Sequence, residues 1–100
     1  MVNKYAAITP KTVAITIDDA YLSVYENAWP LLKAASLPFT IFVATSPVDR
    51  NLSGYMSWDQ LRELKAAGVT VGSQTHTHPH MHTLSVERVR EEIDLSLIHI

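Results

Sequence analysis

Two groups of polar side chains in this sequence have the types and spacing of a metal centre. The first is a pair of adjacent acids, Asp18 and Asp19, which follows the apolar run 13–17. The second is a histidine cluster that follows the apolar run 69–73. Its four members are His76, His78, His80 and His82. Imidazole and carboxylate groups are common ligands of divalent metals, so the two groups predict one shared site if the two runs end side by side.

The acid pair also suits hydrolytic chemistry. Two carboxylates this close repel each other unless a cation compensates, and a divalent metal would provide that cation. One aspartate can then bind the metal while the other takes a proton from the attacking water. Two plainer interpretations compete: the acids only cap the next helix, and the histidines form an exposed polar loop or an adventitious metal-binding segment.

Composition limits the fold and the function classes. A chain of 100 residues, 47% apolar and 18% charged, is one globular domain at most. A formal net charge of −2, with eight scattered lysines and arginines, predicts no nucleic-acid partner. The absence of cysteine excludes disulfides and thiolate metal sites. The N-terminal residues do not predict a signal peptide, and no apolar run reaches ~20 residues, so no membrane segment is predicted. The chain as written is expected to be cytoplasmic, and the location of the full-length protein stays open. Its oligomeric state does not follow from the sequence.

Three short apolar runs predict buried strands over residues 12–17, 39–44 and 69–73. They alternate with segments of helical pattern, which predicts about three β-α units, a parallel sheet and right-handed crossovers. The carboxyl ends of parallel strands share one edge of a sheet, where α/β proteins build their sites. The acid pair and the histidine cluster are therefore expected to meet at that edge.

Proline and glycine mark the breaks between these segments. Residues 20–36 predict an irregular turn through Tyr25 and then a short helix that starts near Pro30, where the missing N–H of proline costs little. Residues 45–54 carry proline, aspartate, asparagine and glycine and predict a loop.

Capping patterns mark the last two helices. Ser57 and Gln60 form a capping-box pattern for a helix that ends near Gly68. Ser85 caps the final helix, and Glu87 lies in its first turn, where the helix dipole favours negative charge. The apolar residues of this final helix predict its buried stripe: Val86, Val89, Ile93 and Leu97.

Both polar groups lie in segments that resemble the motifs of polysaccharide deacetylases of the NodB-homology type, carbohydrate esterase family 4. Residues 16–20 (TIDDA) resemble the family's Thr-Phe-Asp-Asp-Gly. Residues 72–79 (GSQTHTHP) resemble its Gly-Ser/Asn-His-Thr/Ser-x-x-His-Pro. The connecting segments 37–43 and 56–61 fit the family pattern as well, and the resemblance extends from residue 13 to about residue 96.

The resemblance implies a partial (β/α) barrel, with residues 1–11 as an N-terminal extension and residues 12–100 as the truncated N-terminal part of the catalytic domain. It implies a metal-dependent hydrolase, with zinc as the expected metal, that removes N-acetyl groups from an amino-sugar polysaccharide or oligosaccharide. The family's general acid and its orienting arginine belong to later motifs, so the 100 residues alone are expected to be inactive. Whether residues 95–100 are native to this domain stays open.

Carried over residue by residue, the resemblance implies that Asp18 is the catalytic base and that Asp19 and His78 are metal ligands. Gln74 takes the place of the family's first histidine, and an amide oxygen is a weaker, neutral ligand. Three outcomes are open: Gln74 binds weakly or through water, a neighbouring histidine replaces it, or the site is defective. The second is favoured, since the cluster offers three candidate replacements: His76, His80 and His82.

Two other functions stay open. A related hydrolase on the same scaffold, similar to allantoinase, would cleave another C–N bond, and Gln74 gives this alternative some weight. A metal-binding α/β module without catalysis is the other. Neither the substrate nor the identity of the metal follows from the sequence.

Overall fold

The structure, a computed structural model, describes residues 10–99. Three parallel strands form one sheet in the order β1-β2-β3, namely Thr16–Asp18, Thr40–Val43 and Thr70–Ser73. Helices connect consecutive strands and follow the third, so the predicted parallel sheet of three β-α units is confirmed.

The register aligns the carboxyl ends of the three strands. Asp18 lies beside Phe42, and Phe42 lies beside Gly72. One residue further on, the Asp19 N–H donates to the Phe42 carbonyl at 2.9 Å. The Gln74 N–H likewise donates to the carbonyl of Val43 at 2.9 Å. The acid pair and the start of the histidine segment therefore leave the sheet at neighbouring levels, as predicted.

The first strand is shorter and more exposed than predicted. Only three residues pair as β1, and Val13, expected inside a buried strand, is 82% exposed. In the described sheet β1 pairs only with β2, so its other edge has no strand partner. An apolar sequence is not enough to bury an edge strand whose second neighbour is missing.

The segment before β2 follows the prediction. A π-helical turn, Val24–Ala28, continues into α1, Trp29–Ala34. Pro30 lies in the first turn of α1, a position that tolerates proline. The Trp29 N–H bonds to the carbonyl of Val24, five residues back, which is the wide turn expected where regular α-helical pairing is interrupted.

The prediction of a loop after β2 is wrong for the first half of that segment. A short helix, α2, covers Thr45–Asp49. Pro47 stands in its first turn, a position that tolerates proline. Thr45 and Val48 are completely buried, and that burial outweighs the loop-like composition of the segment.

The capping box of α3, Trp58–Ala66, is confirmed. The Gln60 N–H donates to the Ser57 hydroxyl at 3.2 Å, and the Ser57 N–H donates to Gln60 Oε1 at 2.8 Å. Gly68 follows the helix with φ +98°, a conformation that glycine adopts without steric cost.

The last helix, α4, covers Val86–His99 and has the predicted Ser85 cap. Its predicted apolar stripe is wrong for three of the four residues, and only Val89 is half-buried. Val86 is 73% exposed and Leu97 56% exposed, and Ile93 is exposed as well. Glu92 and Ser96 are instead completely buried. The covered side of α4 packs against the end of β3 and the segment after it, where backbone N–H groups need a polar acceptor.

The core lies between the sheet and the helices. Its largest fully buried apolar side chains come from β2, α2, the residues before α3, and α3 itself: Ile41, Val43, Val48, Met56 and Leu64. This core fixes the strand ends on which the polar groups stand. Within residues 10–99, no helix is both long enough and apolar enough to span a bilayer.

Candidate metal and catalytic site

The acid pair is presented by a left-handed turn at the end of β1. Asp19 has φ +76° and Ala20 has φ +55°, a region that costs a residue with a Cβ about 1–2 kcal/mol. Ala20 is nevertheless fully buried, so packing holds the turn in place. The turn breaks the alternation of the strand, which allows both carboxylates to stand at the carboxyl edge of the sheet. Asp18 is exposed there and Asp19 is half-buried.

A second left-handed turn returns the histidine segment toward β1. Thr75 has φ +64° and His78 has φ +57°. The His78 N–H donates to the Thr75 hydroxyl at 3.2 Å, and the Thr75 N–H donates to the Ser73 hydroxyl at 3.2 Å. These bonds hold residues 73–78 as a compact turn whose last imidazole faces the acid pair.

His78 Nε2 lies 3.7 Å from Asp19 Oδ1. That separation is too long for a hydrogen bond. It is close to the spacing of two ligands on one zinc ion, because donors about 2.0–2.1 Å from a tetrahedral centre lie roughly 3.4 Å apart. Asp19 and His78, two of the predicted site residues, are therefore brought together at a spacing that suits a divalent metal.

A pocket of about 250 Å³ opens beside this pair. The Tyr21 and Tyr55 rings stack against each other there, with their centroids 5.1 Å apart. A hydrogen bond and an electrostatic interaction with Tyr55, together with the Asp19 carboxylate, raise the pKa of Tyr21, so its phenol stays neutral. The sequence interpretation overlooked both tyrosines. The residues that line the pocket are Asp19, Tyr21, Ala44, Pro47, Tyr55, Thr77 and His78.

The other histidines of the cluster lie elsewhere. His76 Nδ1 is hydrogen-bonded to the buried Thr45 hydroxyl at 2.8 Å. His80 and His82 are exposed and pack edge to face, with ring centroids 6.0 Å apart, around the 3-10 turn Met81–Thr83. In the part of the chain that the structure describes, no three acidic, histidine or cysteine side chains gather around one point. The replacement of Gln74 by a neighbouring histidine stays a prediction.

The side-chain oxygen of Gln74 is buried. Its Oε1 is inaccessible to water and has no hydrogen-bond partner among residues 10–99. An unpaired buried acceptor costs about 1–3 kcal/mol, so native structures usually satisfy it with a donor, a water or a cation. A divalent metal is one such cation. The side chains of Asp19, His78 and Gln74 supply the oxygen and nitrogen donors that zinc and similar divalent metals accept.

Glu92 is a further polar residue of the site that the sequence interpretation missed. It is completely buried beneath the histidine segment and accepts hydrogen bonds from its backbone. The available signal was a polar stripe at four-residue spacing along α4: Arg88, Glu92 and Ser96. The apolar stripe beside it masked this pattern.

Comparison with known proteins identifies the family. A family model described as polysaccharide deacetylase matches residues 6–97. The poly-β-1,6-N-acetyl-D-glucosamine N-deacetylase of Staphylococcus aureus (strain MRSA252) is 37% identical over 78 residues, which cover 75% of this chain and 26% of that protein. The chain spans between 26% and 29% of the length of the curated relatives it matches first.

Two solved structures share the fold. The Streptococcus pyogenes deacetylase PplD, solved in complex with acetate, superposes with a TM-score of 0.86 at 25% identity, over 93% of this chain and 41% of that one. The chitin deacetylase of Colletotrichum lindemuthianum superposes with a TM-score of 0.66 at 29% identity, over 86% of this chain and 38% of that one. These likenesses confirm the predicted partial α/β barrel.

Proposed function

This chain belongs to the polysaccharide deacetylase family, and from that premise we propose that the whole protein is a metal-dependent hydrolase that removes N-acetyl groups from an amino-sugar polysaccharide or oligosaccharide. The observation that carries the proposal is the 3.7 Å approach of His78 to Asp19 beside a pocket at the sheet edge. The relatives named above include deacetylases of poly-N-acetylglucosamine and of chitin, so a polymer of N-acetylglucosamine is the proposed substrate. The comparisons favour neither an allantoinase-like hydrolase nor a non-catalytic module.

Asp18 acts as the catalytic base in this proposal. Its carboxylate is exposed at the end of β1, where it can accept a proton from the attacking water. Asp19 and His78 hold the divalent metal, which is proposed to be zinc. When bound, the metal supplies a Lewis acid for the carbonyl oxygen of the N-acetyl group. The products are acetate and a free amine.

Gln74 supplies the third donor rather than one of the histidines. Its Oε1 is buried and has no hydrogen-bond partner within the described residues, so its lone pairs are available to a cation. His76 Nδ1 is instead engaged by Thr45, and the other two imidazoles contact each other at the surface. A neutral amide oxygen binds zinc more weakly than an imidazole, so a lower metal affinity than in relatives with histidine is expected.

Tyr21 and Tyr55 position the substrate. They present aromatic surface and hydroxyl groups within the same pocket as Asp19 and His78. An aromatic face can contact the C–H groups of a pyranose ring while the hydroxyls bond its polar edge. The pocket volume of about 250 Å³ accommodates an acetamido group rather than a whole polymer, which would lie across the open mouth.

The test is acetate release by the whole protein from β-1,6- and β-1,4-linked N-acetylglucosamine oligomers, before and after metal is removed by a chelator and restored with zinc. Asp18→Asn should lower kcat about 10²- to 10⁴-fold at unchanged zinc content, the contribution typical of a general base. Asp59→Asn is the matched control, because Asp59 is 94% exposed on α3, outside the described pocket. Full activity of Asp18→Asn, or chelator-resistant turnover, would contradict the proposal.

A further inference from the structure

Glu92 is a fully buried carboxylate with four hydrogen-bond donors around it. Its Oε2 accepts the backbone N–H groups of His76 at 3.0 Å and Thr77 at 2.8 Å. Its Oε1 accepts the Thr77 hydroxyl at 2.6 Å and Arg88 Nη2 at 3.0 Å. A buried carboxylate with this set of partners fixes the geometry of the residues that donate to it.

The balance of forces favours the ionised form. Burial alone would raise the pKa of Glu92, but the bonds from Thr77 and His76 and the positive charge of Arg88 outweigh it and lower that pKa. Charge-assisted bonds to an ionised acceptor are shorter and stronger than neutral ones. Glu92 therefore holds the two backbone amides more firmly than a neutral side chain would.

The opposite side of the same loop is held by α2. The Thr45 N–H donates to the Thr75 carbonyl at 3.2 Å, and the Ser46 N–H donates to the His76 carbonyl at 2.8 Å. These donors belong to the first turn of α2 and have no acceptor within their own helix. Thr75 and His76 thus give their carbonyls to α2, and His76 and Thr77 give their N–H groups to Glu92. These four bonds leave little freedom in the backbone before His78.

We propose that Glu92 is a positioning residue for His78: by binding the amides of residues 76 and 77, it sets the left-handed turn that points the imidazole at Asp19. Glu92 is completely buried and therefore acts through the loop rather than on a substrate. The inference rests on the proposed role of His78 as a metal ligand. It assigns part of the metal affinity to α4, a helix that contributes no ligand.

The test combines three measurements on the whole protein: a calorimetric zinc titration, amide hydrogen exchange and thermal unfolding. In the unmodified protein the amides of His76 and Thr77 should exchange slowly. Glu92→Ala should speed their exchange and weaken zinc binding about 10- to 100-fold, as loss of a group that orients a ligand typically does.

Two variants separate positioning from general stability. Glu92→Gln keeps a carbonyl oxygen for both amides. Its NH2 group replaces Oε1, so the bond from Arg88 is lost and the Thr77 hydroxyl must turn to accept instead of donate. Because the two amides keep their acceptor, zinc affinity should stay within about threefold of the unmodified value. Glu87→Ala removes the same residue type from an exposed site in the first turn of the same helix and should leave zinc affinity unchanged.

Several outcomes would overturn the proposal. One is rapid exchange of both amides in the unmodified protein. Another is a folded Glu92→Ala variant with unchanged zinc affinity. If that variant does not fold, Glu92→Asp replaces it, since its shorter side chain keeps the charge but cannot reach both amides, and unchanged zinc affinity there would be equally decisive. Absence of acetate release with intact zinc binding would count against the proposed function and leave this inference standing.

Discussion

Replacing Gln74 by methionine should stabilise the metal-free protein and weaken its metal binding at the same time. Methionine has nearly the same length and no strong hydrogen-bonding atom, so it removes the unpaired Oε1 without opening a cavity. Because an orphaned buried acceptor costs about 1–3 kcal/mol and Gln74 as a whole is only half-buried, we expect a gain of about 1 kcal/mol. For a domain of this size, that gain raises Tm by about 4–8 °C.

The assay is thermal unfolding followed by circular dichroism, in chelator and in excess zinc. At a zinc concentration of 100 times Kd, the unmodified protein should gain about 2.7 kcal/mol. A tenfold loss of zinc affinity in Gln74→Met would leave a gain of only about 1.4 kcal/mol at the same zinc concentration. The stability advantage of Gln74→Met over the unmodified protein should therefore narrow or reverse when zinc is added.

Gln60→Met is the matched control, because the amide of Gln60 is satisfied in the capping box of α3. This variant should lose about 0.5–1.5 kcal/mol in either condition. A loss of stability for Gln74→Met in chelator would refute the view that its oxygen is uncompensated. An equal zinc response of Gln74→Met and the unmodified protein would refute its role as a ligand.

Two further predictions concern the sheet and the helix surface. Gly72→Ala should destabilise the protein by about 1–3 kcal/mol in denaturant titrations, because the added Cβ would lie 2.8 Å from the Phe42 ring. The same change should cost less stability in the Phe42→Leu background, and an equal loss of stability in both backgrounds would exclude this clash. The hydrogen bond from the Tyr25 hydroxyl to Glu63, 2.6 Å long, raises the pKa of Tyr25. Its stabilising effect is therefore complete below the unfolded pKa of about 10 and lost as pH rises through the higher folded value; Tyr25→Phe should flatten the alkaline decline in Tm, and an unchanged decline would exclude this contribution.

The part of the site that could be predicted from sequence follows from strand geometry. Parallel strands place their carboxyl ends at one edge, so an acid pair after β1 and a histidine after β3 had to emerge together. The distance between Asp19 and His78 depends on two left-handed turns, whose conformations no residue type in TIDDA or QTHTHP specifies. The motifs therefore identified the residues, while the backbone turns determine which atoms meet.

The face of α4 could not be predicted because periodicity assumes that the apolar side is the buried one. The histidine segment presents two backbone N–H groups, and leaving them unpaired in a dry interior would cost more than exposing a valine or a leucine. Glu92 and Ser96 therefore face inward, and Val86 and Leu97 face solvent in the described chain. The α2 helix was hidden in the same way, since its burial through Thr45 and Val48 depends on contacts distant in sequence.

The sheet order explains why a helix begins directly after β2. β1 and β3 are separated by β2, and neighbouring strands lie about 4.8 Å apart, so the histidine segment must cross roughly 10 Å to bring His78 to Asp19. The crossing passes over the end of β2, where Ala44 and Pro47 line the pocket. A chain that left β2 as an extended loop would obstruct that path and would leave the Thr75 and His76 carbonyls without donors. Because α2 starts directly after β2, it leaves the path open and provides those donors. The proposed ligands follow β1 and β3, so a site of this kind requires a helix at the end of β2, the strand between them.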